Sequence, residues 1–227
     1  MHQYNGCIAC APDPIDFRAL LPGVDIYAKD ARAFQRSAMS PSAHTGYART
    51  FKGVSLASLE DGWRLEQALG GWRGGGQLSI WMAAYGPKGD DGLPKPLWDR
   101  DGYIDPQVAQ HWGERSDLSR ILEKEWPKSS ADLIGKLKVF TGAMDAYYLE
   151  LAAYRTEERV AALDPQAQAE FRYGASRGRG YSHAWKGDNT TSAEIGDLTM
   201  HERFIPLLVE GFVKRAPKGA DVVSWRY

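Results

Sequence analysis

At 227 residues, with 43% hydrophobic and 25% charged residues, the chain has the make-up of one large globular domain or of a core carrying an elaborate insertion. A formal charge of −1 gives no electrostatic basis for partnership with nucleic acid or an anionic membrane, and no apolar stretch approaches the ~20 residues of a spanning helix. The start, Met1 to Gly6, lacks the basic and apolar regions of a secretory signal, so a cytoplasmic, reducing compartment is expected.

The first element in chain order is residues 6–11, Gly-Cys-Ile-Ala-Cys-Ala. Small and apolar without alternation, it reads as a strand of a parallel sheet buried on both faces. Pro12-Asp13-Pro14 ends it, because proline cannot continue a ladder. Cys7 and Cys10 form a C-x-x-C, yet side chains three apart on a strand point to opposite faces. Neither a disulfide nor shared metal ligation is expected from them, and no cofactor or metal is expected elsewhere.

From about Phe17 to Ser130 the sequence is irregular and rich in Gly, Pro and aromatic residues. Within it, Ser55 to Leu69 carries Leu56, Leu59, Trp63 and Glu66 at helical spacing, with Ser55 as a candidate cap. Gln77 to Tyr85 reads as a helix after the Gly74-Gly75-Gly76 break, and Gly86 to Asp105 is turn-rich. A helix follows from Pro106 through Trp112, and another from Asp117 to Trp126 with Ser116 capping. A loop-rich stretch of this length inside a compact domain commonly serves as a lid or binding insertion.

The regular pattern then returns. Leu137 to Phe140 reads as a buried strand, Ala146 to Leu163 as a helix broken by Asp164-Pro165, and Ala169 to Tyr173 as another strand. Leu198 to Arg215 reads as an amphipathic helix that Pro206 should kink. Strand–helix–strand–helix at this spacing predicts an α/β fold with parallel crossovers.

Asp145 follows the strand at 137–140, which puts a carboxylate at the sheet's C-terminal edge, where open α/β sheets build their sites. Capping a helix that begins Ala-Tyr-Tyr-Leu is its more ordinary use. His183 lies in the loop after the next strand, between Tyr181-Ser182 and Ala184-Trp185. An imidazole there suits a general base, although a lone loop histidine is more often a surface residue. One strand–helix–strand unit returns both to the same edge, where a carboxylate can hold the imidazole's tautomer and support its charged form. Gly174-Ala175-Ser176-Arg177-Gly178 satisfies G-x-S-x-G but does not fit a nucleophile elbow. Arg177-Gly178-Arg179-Gly180 will not start the required helix, and Asp145 precedes Ser176, the reverse of the elbow architecture's order.

Asp99-Arg100-Asp101-Gly102 lacks the bidentate Glu of a calcium loop and reads as a turn. Asn189-Thr190-Thr191 is a sequon, relevant only to a secreted chain. Trp72, Trp81, Tyr85, Trp98 and Trp112 are candidates to line an apolar substrate pocket, or else to form the insertion's own core.

Several segments together resemble a known family. Cys10 to Phe17, Tyr85 to Pro94, Trp98-Asp99 with Gly102 to Asp105, Gly142 to Leu149, His183-Ala184-Trp185 and Ala220 to Tyr227 are similar to the C-terminal part of an enterochelin-esterase-like family of α/β-hydrolases. The likeness covers nearly the whole chain. It implies about three parallel strands with helices: a first sheet strand within 1–18, an aromatic-rich cap at 19–130, and a C-terminal hydrolase portion at 131–227. It also implies that Asp145 and His183 match the acid and base of a serine esterase. In that family the nucleophilic Ser lies on an elbow upstream of the strand matching residues 6–11, with the oxyanion hole, and this chain carries neither. A small-molecule ester is the substrate class expected of the completed enzyme, and no serine-esterase turnover is expected of this chain alone. Two alternatives stay open: Ser176 as an unconventional nucleophile, and a non-catalytic chain that pairs an exposed sheet edge with another polypeptide or with itself.

Overall fold

The computed structural model describes residues 6–37, 40–50, 52–71, 75–174 and 197–224. The first strand, β1 (Cys7–Cys10), is followed by a 3-10 turn (Phe17–Ala19) and four short strands, β2 (Arg36–Ser37), β3 (Ser40–His44), β4 (Gly46–Arg49) and β5 (Ser55–Ser58). Four helices come next: α1 (Leu59–Leu69), α2 (Gln77–Tyr85), α3 (Pro106–Arg115) and α4 (Leu118–Leu133). The chain then runs through β6 (Leu137–Gly142), α5 (Leu149–Ala161), β7 (Glu170–Gly174) and α6 (Asp197–Arg215). Strands β1, β6 and β7 form one parallel sheet in the order β1-β6-β7, with Cys10 opposite Phe140 and Phe140 opposite Arg172. The short strands form two antiparallel pairs, β2-β3 and β4-β5. The fold is α/β, and among the described residues no helix is long and apolar enough to cross a membrane.

Apolar side chains of β6 and β7 pack under helices. Phe140 meets Phe204 of α6 edge-on, ring centroids 4.8 Å apart, with Ile8, Cys10 and Leu207 around them. Elsewhere Trp126 of α4 packs with Val160, Leu163 and Phe171, and its indole N–H donates to the Pro165 carbonyl at 2.8 Å. The largest apolar cluster is neither of these. It lies between β1 and β6 in sequence and contains Phe17, Trp63, Trp81, Trp98 and Trp112, with edge-on ring contacts such as Trp63–Trp98 at 5.5 Å. The insertion therefore carries an apolar core of its own.

Several elements differ from the sequence-based expectation for identifiable reasons. β1 is not buried on both faces: Cys7 is exposed and Ile8 to Cys10 are half-buried, because β1 is an edge strand paired only with β6 among the described residues. Neither cysteine forms a disulfide. Residues 55–58 are strand rather than helix, since the cap lies three residues later. The Asp61 N–H donates to Ser58 Oγ (3.1 Å) and that hydroxyl donates to Asp61 Oδ2 (2.6 Å), a reciprocal pair that fixes the start of α1 at Leu59. Likewise Asp117, not Ser116, caps α4 by accepting from the Arg120 N–H at 2.9 Å. That helix continues through Pro127 to Leu133. α2 spans Gln77–Tyr85 as the pattern predicts.

Candidate functional site

The rim of the sheet is set by two glycines. Gly142 and Gly174 are register partners, and the Ala143 N–H donates to the Gly174 carbonyl at 2.8 Å, so β6 and β7 end level. Asp145 follows three residues beyond and is fully buried. Its Oδ1 accepts from the Tyr147 N–H at 2.7 Å and, at 3.5 Å, from that of Leu149. Its carbonyl accepts from the Tyr148 N–H at 3.1 Å. These bonds hold a tight turn in which Tyr148 takes left-handed backbone geometry (φ 64°), and the turn delays α5 to Leu149. The Asp145 carboxylate therefore organises backbone at the rim. His183, Ser176 and Trp72 lie outside the described residues.

Arg49, at the end of β4, ties the hairpin to this turn. Its backbone N–H donates to the Ala146 carbonyl (2.9 Å) and its Nε to the Asp145 carbonyl (3.0 Å). Its Nη2 pairs with Glu150 Oε1, and its guanidinium lies 4.1 Å from the centroid of the Tyr148 ring. The approach is close enough that a Cβ on Gly46 would sit 2.4 Å from the Tyr148 hydroxyl, so a larger residue there would displace the Tyr148 ring. Glu150 is 2% exposed, and its second oxygen is buried without a hydrogen-bond partner among the described residues. Burial pushes its carboxyl from 4.5 up to about 7, against the pull of Arg49 and with a small push from the Asp145 carboxylate.

A carboxyl whose pKa is higher folded than unfolded holds extra protons in the folded state between the two values. Its effect on stability is most favourable below the unfolded value and falls away as pH rises through the folded one. Glu150→Gln removes this titration while keeping an acceptor for Arg49. Between pH 4.5 and about 7, the stability difference between variant and wild type should move in the variant's favour by roughly 3 kcal/mol. Urea denaturation across that range measures it, and a flat difference would show that Glu150 ionises at its ordinary value.

Beside the turn is a cavity of about 340 Å³. Asp13, just past β1, and Tyr147 and Leu149, just past β6, form its sheet side, while Tyr47 of β4 and Gln77 and Trp81 of α2 close it from the insertion. The cavity thus opens at the carboxyl ends of adjacent parallel strands, the position at which open α/β sheets take ligands. Of the five aromatic residues singled out in the sequence, Trp81 lines it. Trp98 and Trp112 are 1% and 0% exposed inside the insertion's core. Tyr85 is half-buried, packing on Phe17 and Trp112.

Sequence reasoning missed Arg49, Tyr47 and Asp13 as site residues. Arg49 gave no signal, because its partners are about a hundred positions away in sequence. Asp13 gave one, as a carboxylate directly after a strand, but its flanking prolines marked only the end of that strand. Among the described residues, no group of three or more His, Cys, Asp or Glu side chains is placed to hold a metal ion. Comparison with protein-family models, with curated proteins and with solved structures finds no match to this chain.

Proposed function

We propose that this chain is the C-terminal portion of an esterase-type α/β-hydrolase, with Asp145 as the acid and His183 as the base of a serine relay whose nucleophile lies on another segment. The observation that carries the reading is the level ending of β6 and β7 at Gly142 and Gly174. The segment leading to Asp145 and the segment leading to His183 leave the sheet at the same edge. The cavity at that edge offers room for a small-molecule ester. In such a relay the imidazole takes the proton of the attacking hydroxyl, and the carboxylate orients the ring and stabilises its charged form.

Asp145→Asn gives a clean test, since the amide oxygen still accepts from the Tyr147 N–H while the charge is gone. An adjacent carboxylate favours imidazolium, so the His183 titration, followed by NMR and assigned by its loss in His183→Gln, should move to lower pH by about one unit or more. An unchanged titration would sink the pairing. Fluorophosphonate should leave the isolated chain unlabelled; labelling abolished by Ser176→Ala would replace this reading with one that uses Ser176.

A second reading, a non-catalytic chain that pairs its sheet edge with another polypeptide, is favoured by the position of β1 at the edge of the order β1-β6-β7. A mass that rises with concentration in sedimentation equilibrium supports it, and a tight monomer throughout counts against it.

A further inference from the structure

We infer that the cavity between Tyr47, Trp81, Tyr147 and Asp13 binds a small organic cation, an alkylammonium group held by aromatic rings and one carboxylate. Three elements distant in sequence converge to make it: β4 brings Tyr47, α2 brings Trp81, and the turn before α5 brings Tyr147. The Asp145 carboxylate fixes that turn by accepting the Tyr147 N–H, so the third ring is held by a buried group. The rings of Tyr47 and Tyr147 are 6.1 Å apart and inclined at 59°, too tilted to stack on one another, so they stand as separate walls.

The charge in the cavity lining has one sign. Among the described residues, the lining holds one carboxylate, Asp13, and no cationic side chain. Glu66, whose carboxylate accepts from the N–H groups of Leu78 and Ser79 at the start of α2, lies close enough to help raise the Tyr47 hydroxyl to about 12, after burial as the main cause. Asp13 acts similarly on Tyr85, which burial has already raised. An anion entering here meets that field unfavourably. A neutral apolar ligand would fill the space but leave the field unused. A cation gains from both the carboxylate and the negative faces of the rings, which attract ammonium groups most strongly where water is excluded. The volume, about 340 Å³, sits at the small end of ligand pockets and suits a compact headgroup on a short chain.

The probe pair is choline and its uncharged carbon isostere, 3,3-dimethylbutan-1-ol, titrated into the full chain by calorimetry and tryptophan fluorescence. Binding is read directly, so the result is independent of whether the chain belongs to a hydrolase. Choline should bind saturably at one site with a Kd near or below about 1 mM, and the isostere about tenfold more weakly or worse. Tyr147→Leu keeps an apolar wall without the ring and should weaken choline about fivefold, leaving the isostere nearly unchanged. Asp13→Asn should weaken choline by a smaller factor, one that shrinks as sodium chloride is raised. Asp13 is exposed and Tyr147 partly so, and thermal unfolding of each variant verifies that the fold is intact. Equal affinity for both probes, no saturation by about 50 mM choline, or an unaltered choline affinity in folded Tyr147→Leu would each overturn the assignment.

Discussion

Arg49→Ala should lower the stability of the chain by about 3–5 kcal/mol, more at pH 8 than at pH 5. The size follows from what the side chain leaves behind. Glu150 is 3% exposed at its side chain and the Arg49 side chain 11%, so removing the guanidinium strands a buried carboxylate. The Asp145 carbonyl loses its Nε donor at the same time, and Tyr148 loses the cation against its ring. The pH dependence follows from the carboxyl that remains. Without the pull of Arg49, burial raises Glu150 further above its already elevated value. Folding then takes up a proton at both pH values, at little cost at pH 5, close to the unfolded value, and at a much larger cost at pH 8. Urea denaturation at the two pH values measures both quantities. A loss below about 1 kcal/mol, equal at both, would mean that the pair acts as a solvated surface ion pair.

This arrangement explains how an insertion with its own core is held against the sheet. The β4–β5 hairpin carries Arg49 to the turn at Asp145, and that same turn supplies Tyr147 and Leu149 to the cavity. Hairpin, turn and cavity wall thus share one hydrogen-bonded unit. Displacing Arg49 should therefore disturb ligand binding as well as stability, although Arg49 does not line the cavity.

The parallel sheet was legible because β1 and β6 are largely apolar runs bounded by Gly and Pro, β7 alternates charged and aromatic residues, and a helix of ordinary length lies between β6 and β7. Asp145 was legible because position alone, directly after such a strand, marks the sheet's edge. The hairpins were not. Ser40-Pro-Ser-Ala-His44 and Gly46-Tyr-Ala-Arg49 have neither β-branched residues nor a period of two, and what holds β4 is contact with a turn about a hundred residues later. Nor does residue type separate core from pocket. Trp81 and Trp98 are both at least nine-tenths buried, yet only Trp81 lines the cavity. The starts of α1 and α4 each moved by one or more positions for a related reason. Neighbouring Ser and Asp residues all cap well, and the geometry of the preceding segment selects among them.

The second large effect lies where the chain leaves β1. Asp117→Ala should cost about 3–5 kcal/mol, because one fully buried carboxylate satisfies donors from three separate segments. Asp117 Oδ2 accepts from the Phe17 N–H at 3.1 Å and from the Tyr27 hydroxyl at 2.7 Å, and Oδ1 accepts from the Arg120 N–H at 2.9 Å as the cap of α4. Burial and this carboxylate together push the Tyr27 hydroxyl far above its ordinary value, so it serves as a donor throughout the accessible pH range. Alanine offers no acceptor, which leaves a helix uncapped and strands two donors that are wholly or partly buried. Asp16 beside it does not substitute, since its oxygens are engaged by Arg18 and by the Ser119 hydroxyl at 2.8 Å. Tyr27→Phe removes one of the three donors and its need together, so it should cost no more than about 1 kcal/mol. In the double variant Asp117→Ala/Tyr27→Phe, the loss should be smaller than the sum of the two, because the stranded hydroxyl is gone. Chemical denaturation of the three variants closes this cycle. Strict additivity would show that the Tyr27 hydroxyl finds another acceptor, leaving Asp117 to serve Phe17 and the start of α4.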